Sequence, residues 1–223
     1  MEDLRQLLVP LLKGTTVTLQ LALASTLFGG ILSFAAGIGK LSGNPLVRWL
    51  SVGYIEIFRG TSLLVQMFWL YFALPLIGIR LPPVTAGILA LSLNIGAYGA
   101  EVVRGAIQAV PREQYEAAIA VNFTRRFTLW RVVLPQALVE MMPPFGNLVV
   151  QNLKDTALVS LISLSDLTFR AQNYRNLTYE TVPVFTATLF IYFFLALAFM
   201  AVMRLLERWI AVRVGVAQGR ARA

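Results

Sequence analysis

The sequence predicts an all-α membrane protein with five transmembrane helices, its amino terminus outside and its carboxyl terminus in the cytoplasm. Three observations carry this. Of 223 residues, 57% are hydrophobic and only 13% charged, with a mean hydropathy of +0.70, which is more apolar surface than one soluble core can use. The apolar residues fall in runs of about 20, the length a helix needs to cross the hydrocarbon layer. The basic residues also divide unevenly. With the amino terminus outside, Lys40, Arg48, Arg59, Arg104, Arg112, Arg125, Arg126, Arg131, Arg204, Arg208, Arg213, Arg220 and Arg222 are cytoplasmic. Arg5, Lys13, Arg80, Arg170 and Arg175 are opposite, thirteen against five, with Lys154 inside a span. The net charge of +8 and pI near 10.3 therefore read as topology and not as a nucleic-acid footprint, because the arginines cluster beside apolar runs. Cysteine and histidine are both absent, which removes disulfides, thiolate nucleophiles, imidazole bases and the usual zinc ligand sets and counts against a membrane enzyme. Residues 1–223 leave no room for a second domain beside one transmembrane domain.

The first span runs from Thr15 to about Ile38 and, lacking a small-residue cleavage site, is retained. Lys40 to Asn44 with Pro45 ends it, and Val47 to Arg59 mixes Arg48, Glu56 and Arg59 with Trp49, Tyr54 and Phe58, the pattern of an interfacial amphipathic helix. Thr61 to Ile79 is the second span, closed by Gly78, Arg80, Pro82 and Pro83. The third, Val84 to about Gly99, carries the small and polar residues Gly87, Asn94, Gly96 and Ala97 that let membrane helices approach closely, with Glu101 and Arg104 at its far end. Residues 105–135 form the longest polar interruption, on the cytoplasmic side. The fourth span, from Ala137 through Leu164, is unusually polar, with Glu140, Asn147, Gln151, Asn152, Lys154 and Asp155. A loop from about Ser165 to Thr181 precedes the cleanest span, Pro183 to Met203, and no internal repeat is visible.

Within the cytoplasmic loop, Val110-Pro111 followed by Arg112, Glu113 and Glu116 places proline near a helix start and acids in the first turns, so a short helix follows. Thr124 can cap a second one, which Pro135 stops or bends.

Glu116-Ala117-Ala118, followed by Asn122-Phe123 and Leu134-Pro135, resembles the EAA loop of ATP-binding cassette importer permeases. Four further blocks in the right order are similar to the polar amino acid branch of that family, with its type I importer fold. They are Glu56-Ile57-Phe58-Arg59-Gly60-Thr61 with Gln66; Ala97-Tyr98 through Glu101 to Gln114; Leu134-Pro135-Gln136-Ala137 with Pro143-Pro144 and Asn147; and Leu153-Lys154-Asp155-Thr156-Ala157-Leu158. Together they cover residues 15–210, the core of the domain. The resemblance implies that the loop over 105–135 carries coupling helices seated on a cytoplasmic ATPase, with Glu116, Ala117, Ala118, Asn122, Phe123, Leu134 and Pro135 as the coupling residues. It further implies a dimer of ATPase subunits, an extracytoplasmic solute-binding protein meeting outer loops that include residues 165–182, a second copy or a sister permease, and residence in a bacterial inner membrane. The chain holds no Gly-rich phosphate loop, so it binds no cofactor itself; ATP and Mg belong to the partner ATPase. Asn122 replaces the family's usual Gly at a turn that wants the left-handed conformation, where Asn is the next most tolerant residue. Glu140, with Val139, stands where relatives often carry a basic residue.

The fourth span is the candidate substrate path, because Lys154 and Asp155 near its middle cost several kcal/mol if they face lipid. Lys154 has two open roles, meeting a substrate carboxylate or neutralising Glu101 or another acid. Gln151, Asn152, Thr156, Asn94, Tyr98 and Gln66 either orient a small zwitterion or bond neighbouring helices. The aromatic stripes Phe68 to Phe72 and Phe190 to Phe194 read as packing or lipid contact. With one acid beside one lysine at mid-depth, a neutral zwitterion fits better than a cationic solute, and ectoine-type compatible solutes stay open. A channel or secondary carrier working without ATP explains the polar fourth span as well, but not the EAA block.

Overall fold

The computed structural model describes the backbone of residues 2–214 and the side chains of residues 6–213; Arg220, Arg222 and the side chain of Arg5, counted above, lie outside them. Among the described residues there are helices and no strands. The long helix α1, Glu2–Lys40, starts well before the expected Thr15 and runs through Pro10. Its first turns are held by packing of Leu7 and Leu11 against Leu167, Ala171 and Val184, contacts that no local pattern announces.

Helix α2, Pro45–Gly60, opens with Asn44, whose side-chain oxygen accepts from the Leu46 N–H at 3.0 Å, and with Pro45 in the first turn, where its missing N–H costs nothing. Against the expectation of an interfacial helix, the second half of α2 packs on other helices, while Leu46, Val47, Trp49 and Leu50 in its first half are exposed. The Tyr54 hydroxyl donates to the Leu93 carbonyl at 2.8 Å, and the Asn94 amide donates to the Phe58 carbonyl at 3.1 Å. Helix α2 therefore enters the bundle and reaches the middle of α4, Pro83–Ala109. An amphipathic pattern cannot distinguish a helix lying on lipid from one lying on other helices.

The expected second span is also not a plain helix. Helix α3, Leu63–Phe68, passes into a π turn at Trp69–Ala73 and a 3₁₀ turn at Leu74–Ile77, and turns 104° away from α2. Pro75 cannot donate to a carbonyl one turn back, and Gly78 ends the segment at φ 91°. Helices α5, Arg112–Ala120, and α6, Arg125–Thr128, lie in the polar loop over 105–135. Helix α6 is not stopped by Pro135. It continues through a π turn at Leu129–Val133 into α7, Leu134–Asp155, because the wider turn makes room for a proline that would clash with a regular preceding turn.

A 3₁₀ segment, Thr156–Ile162, then leads to α8, Leu167–Thr178, and α9, Thr181–Val214. Helices α1, α4 and α9 are long and apolar enough to cross a membrane, and the bent α2–α3 pair makes up to four. Helix α7 has 22 residues, about 33 Å at the usual rise, so its polarity and not its length sets it apart. Helices α1 and α4 pack backbone to backbone: a Cβ on Gly37 would stand 2.7 Å from the Ala100 carbonyl oxygen.

Asp166 caps α8 by accepting from the backbone N–H groups of Phe169 at 2.9 Å and Thr168 at 3.2 Å, and it is fully buried. Burial pushes its carboxyl from an ordinary 3.8 up to about 6, with the backbone donors opposing the rise. Between those values the folded chain binds the proton more tightly than the unfolded chain. The associated stability is complete below about pH 4 and is lost as pH rises through about 6. We expect Asp166→Asn, which can still cap, to remove most of the decline in thermal stability over that window; an unaltered pH profile would show that another group sets it.

Candidate functional site

A cavity of about 600 Å³, open on one side, lies between α3, α4 and α7. Asn94, Tyr98, Gln151, Asn152 and Asp155, all singled out in the sequence, line it. Thr61, Ser62, Leu148 and Leu158 line it too and were missed; the only signal for the first two was the helix end at Gly60-Thr61. Asp155 is half-buried, accepts from the Gln151 amide at 2.9 Å, and is the one carboxylate among the lining residues.

The other polar residues divide by what they touch. Gln66 donates to the carbonyls of Phe58 and Thr61 and to the Thr61 hydroxyl at 3.0, 3.2 and 2.8 Å, and Asn94 shares the Phe58 carbonyl. These two amides satisfy carbonyls that the 104° bend frees from helical bonding. Asn152 is buried and ties α7 to α1, donating to Ser25 at 2.7 Å and Thr26 at 3.1 Å. Thr156, also buried, donates to the Leu153 carbonyl. Lys154 is exposed and does not line the cavity. Glu101 is not its partner, because Glu101 pairs with Lys40 at 2.6 Å and Arg104 at 2.8 Å; the other carboxylates its second role allowed are unaffected by this. Glu140, Pro143, Asn147, Gln151 and Lys154 fall on one exposed face of α7, three or four residues apart.

At the other end of α4, the two loop helices are braced. The Tyr115 hydroxyl donates to the Ile107 carbonyl at 3.2 Å, and burial pushes its phenol above the usual range. Gln136 of α7 donates to Gln114 of α5 at 3.2 Å. Ala118 is buried, whereas Glu116 and Ala117 face outward. Helix α5 closes with paired bonds, Phe123 N–H to Ala118 O at 2.9 Å and Asn122 N–H to Ile119 O at 2.8 Å, with Asn122 left-handed at φ 58°. Asparagine thus occupies the turn conformation that its replacement of Gly required. Thr124 caps α6 by accepting from the Phe127 N–H at 3.3 Å, and the Phe123 and Phe127 rings meet edge to face at 4.5 Å. Leu134 is buried in the core between α4 and α7 and Pro135 is half-buried, so both brace the loop from behind. Ile119, 72% exposed, and Val121, Phe127 and Trp130 are exposed apolar residues of the same loop as Glu116.

Comparison with known proteins agrees with this architecture. The family model for the binding-protein-dependent transport system inner membrane component matches residues 27–212. The chain is 58% identical to the probable amino-acid ABC transporter permease protein y4tF of Sinorhizobium fredii, over 93% of this chain and 91% of that one. It is 35% identical to the L-cystine transport system permease protein TcyB of Bacillus subtilis, over 89% and 87%. A crystal structure of an amino acid ABC transporter with histidines superposes with a TM-score of 0.86 at 33% identity, covering 92% of this chain and 96% of that one. The match in sequence across the braced loop and the cavity, and in backbone over nearly the whole chain, means that this protein belongs to the binding-protein-dependent transport system inner membrane component family and has the type I ABC importer permease fold.

Proposed function

We propose that the chain is the permease subunit of an importer that moves a polar amino acid or a related zwitterion into the cytoplasm, driven by ATP hydrolysis on a separate ATPase. The observation that carries this is the pairing, along the same two helices, of a polar cavity at Asn94, Tyr98 and Asp155 with an outward-facing knob around Glu116. Force delivered to the knob by a dimer of ATPase subunits passes to α4 through Tyr115 and to α7 through Gln136, the helices that wall the cavity. ATP and Mg are held by those subunits. Relatives named for amino-acid and L-cystine transport support the solute class. The sparse acidic lining supports a net-neutral solute, with ectoine-type compatible solutes inside the same class.

In this reading residues 1–223 are a single transmembrane domain in a bacterial inner membrane. Helix α1, the bent α2–α3 pair, α4, α7 and α9 are its five spans, with the amino terminus outside and the carboxyl terminus inside. The polar exposed face of α7 meets a second copy or a sister permease, and an extracytoplasmic binding protein delivers the solute to the outer loops, including residues 165–182. The test is ATP hydrolysis in liposomes holding this chain with its genomically adjacent ATPase and binding protein, assayed against amino acids and ectoine-like solutes. Stimulation by one solute is the expected result; uptake that persists without ATP would replace the importer with a carrier or channel.

A further inference from the structure

Arg59, counted in the sequence as a cytoplasmic charge, is an exposed residue at the end of α2. Its guanidinium lies 5.3 Å from the ring centroid of Tyr98, a residue that lines the 600 Å³ cavity. Tyr98 is the sixteenth of the 27 residues of α4. Phe58 next to Arg59 is bonded by Asn94, and Thr61 two residues on is itself a lining residue, so the end of α2 forms the rim of the cavity. Among the described residues Arg59 makes no ion pair: Glu56, one turn back on α2 and mostly exposed, lies 3.9 Å from Lys40, and Glu101 is held by Lys40 and Arg104.

Arg59 is exposed, and its one contact among the described residues is the Tyr98 face, which leaves its guanidinium N–H groups open to an anion. Its planar fork is suited to a carboxylate, which it can bind through two parallel hydrogen bonds. Asp155 on α7 supplies one negative charge to the same cavity, held in place by Gln151. Arg59, against the lining residue Tyr98, and Asp155, in the lining itself, put opposite charges on different helices, the complement of a molecule with an ammonium and a carboxylate.

We propose that Arg59 binds the carboxylate of the transported zwitterion at this rim while the ammonium faces Asp155, making Arg59 a specificity-determining residue of the permease. The proposal rests on the importer reading above and adds to it the orientation of the solute and the requirement for a carboxylate. It also accounts for a neutral preference without requiring Lys154, because the balancing cation is already at the cavity.

The chain contains no cysteine, so Arg59→Cys places a single thiol on it. The full complex would be reconstituted in liposomes, with the wild-type complex treated in parallel, and uptake of a mixture of carbon-14-labelled L-amino acids would be measured. Arg59→Cys should take up about tenfold less or worse. A methanethiosulfonate reagent that attaches an aminoethyl group should restore much of the uptake, and one that attaches a sulfonatoethyl group should not; the amino-acid mixture should slow both labelling reactions. Equal rescue or equal failure with both signs of charge would overturn the proposal, since a packing role is indifferent to sign. If Arg59→Cys does not assemble, Arg59→Lys and Arg59→Gln take its place: retention in the first with loss in the second supports carboxylate binding, and equal behaviour overturns it. Absence of ATP-driven uptake in the wild-type complex would instead count against the importer reading, an outcome distinct from a wild type that transports and a variant that ignores charge.

Discussion

Glu116→Lys should abolish solute-stimulated transport, lowering uptake about tenfold or more, while the chain still inserts and assembles. Glu116 is exposed on α5, in the same loop as the exposed apolar residues Ile119, Val121, Phe127 and Trp130, so reversing its charge changes what a partner meets. A like charge placed in a docking surface costs several kcal/mol of association, enough for such a loss. The fold has no reason to respond. What holds the loop in place is on its other side: Ala118 buried, Tyr115 bonded to Ile107, Gln136 bonded to Gln114, and the left-handed turn at Asn122. Basal hydrolysis by the free ATPase would be the control. Unchanged uptake and unchanged stimulation in Glu116→Lys would remove this side chain from the docking surface and leave the exposed apolar residues as the contact.

Features governed by local rules were legible in the sequence. Span length and hydropathy marked α1, α4 and α9, and the ordered motif blocks pointed to the family that the comparisons show. The Asn122 turn was legible because few residues tolerate that conformation, and the Thr124 cap because a hydroxyl before a helix has one obvious partner. Features set by helix phase in three dimensions were not. Pro135 marks a place where a helix changes pitch, and a π turn accommodates it as readily as a break does. The α2 pattern fits lipid and protein surfaces equally. Gln66 and Asn94 were recognised as polar groups in spans, but the bend whose carbonyls they satisfy is tertiary. Lys154 and Asp155 could be said to point in different directions, but which of them met the cavity depended on how α7 is rotated against α4.

That rotation makes the second prediction a contrast between neighbours. Asp155→Asn should reduce uptake about tenfold to a hundredfold, the usual cost of losing a charge-assisted hydrogen bond to a bound cation, because it removes the one carboxylate among the lining residues at nearly constant volume. The new side chain can still bond Gln151, so the α7 backbone and the cavity wall keep their support. Lys154→Ala should cost much less in uptake through a correctly assembled complex, since Lys154 is exposed beside the cavity and outside it. Its charge lies on the exposed face with Glu140 and Asn147 that a second permease subunit would cover, so its loss should appear in assembly, read by size-exclusion chromatography of the purified complex. Measuring both variants with the same saturating binding protein separates the two roles. The reverse outcome, with Lys154→Ala losing uptake in an intact complex and Asp155→Asn transporting normally, would place the solute on the outer face of α7 and make the cavity between α3, α4 and α7 a bystander.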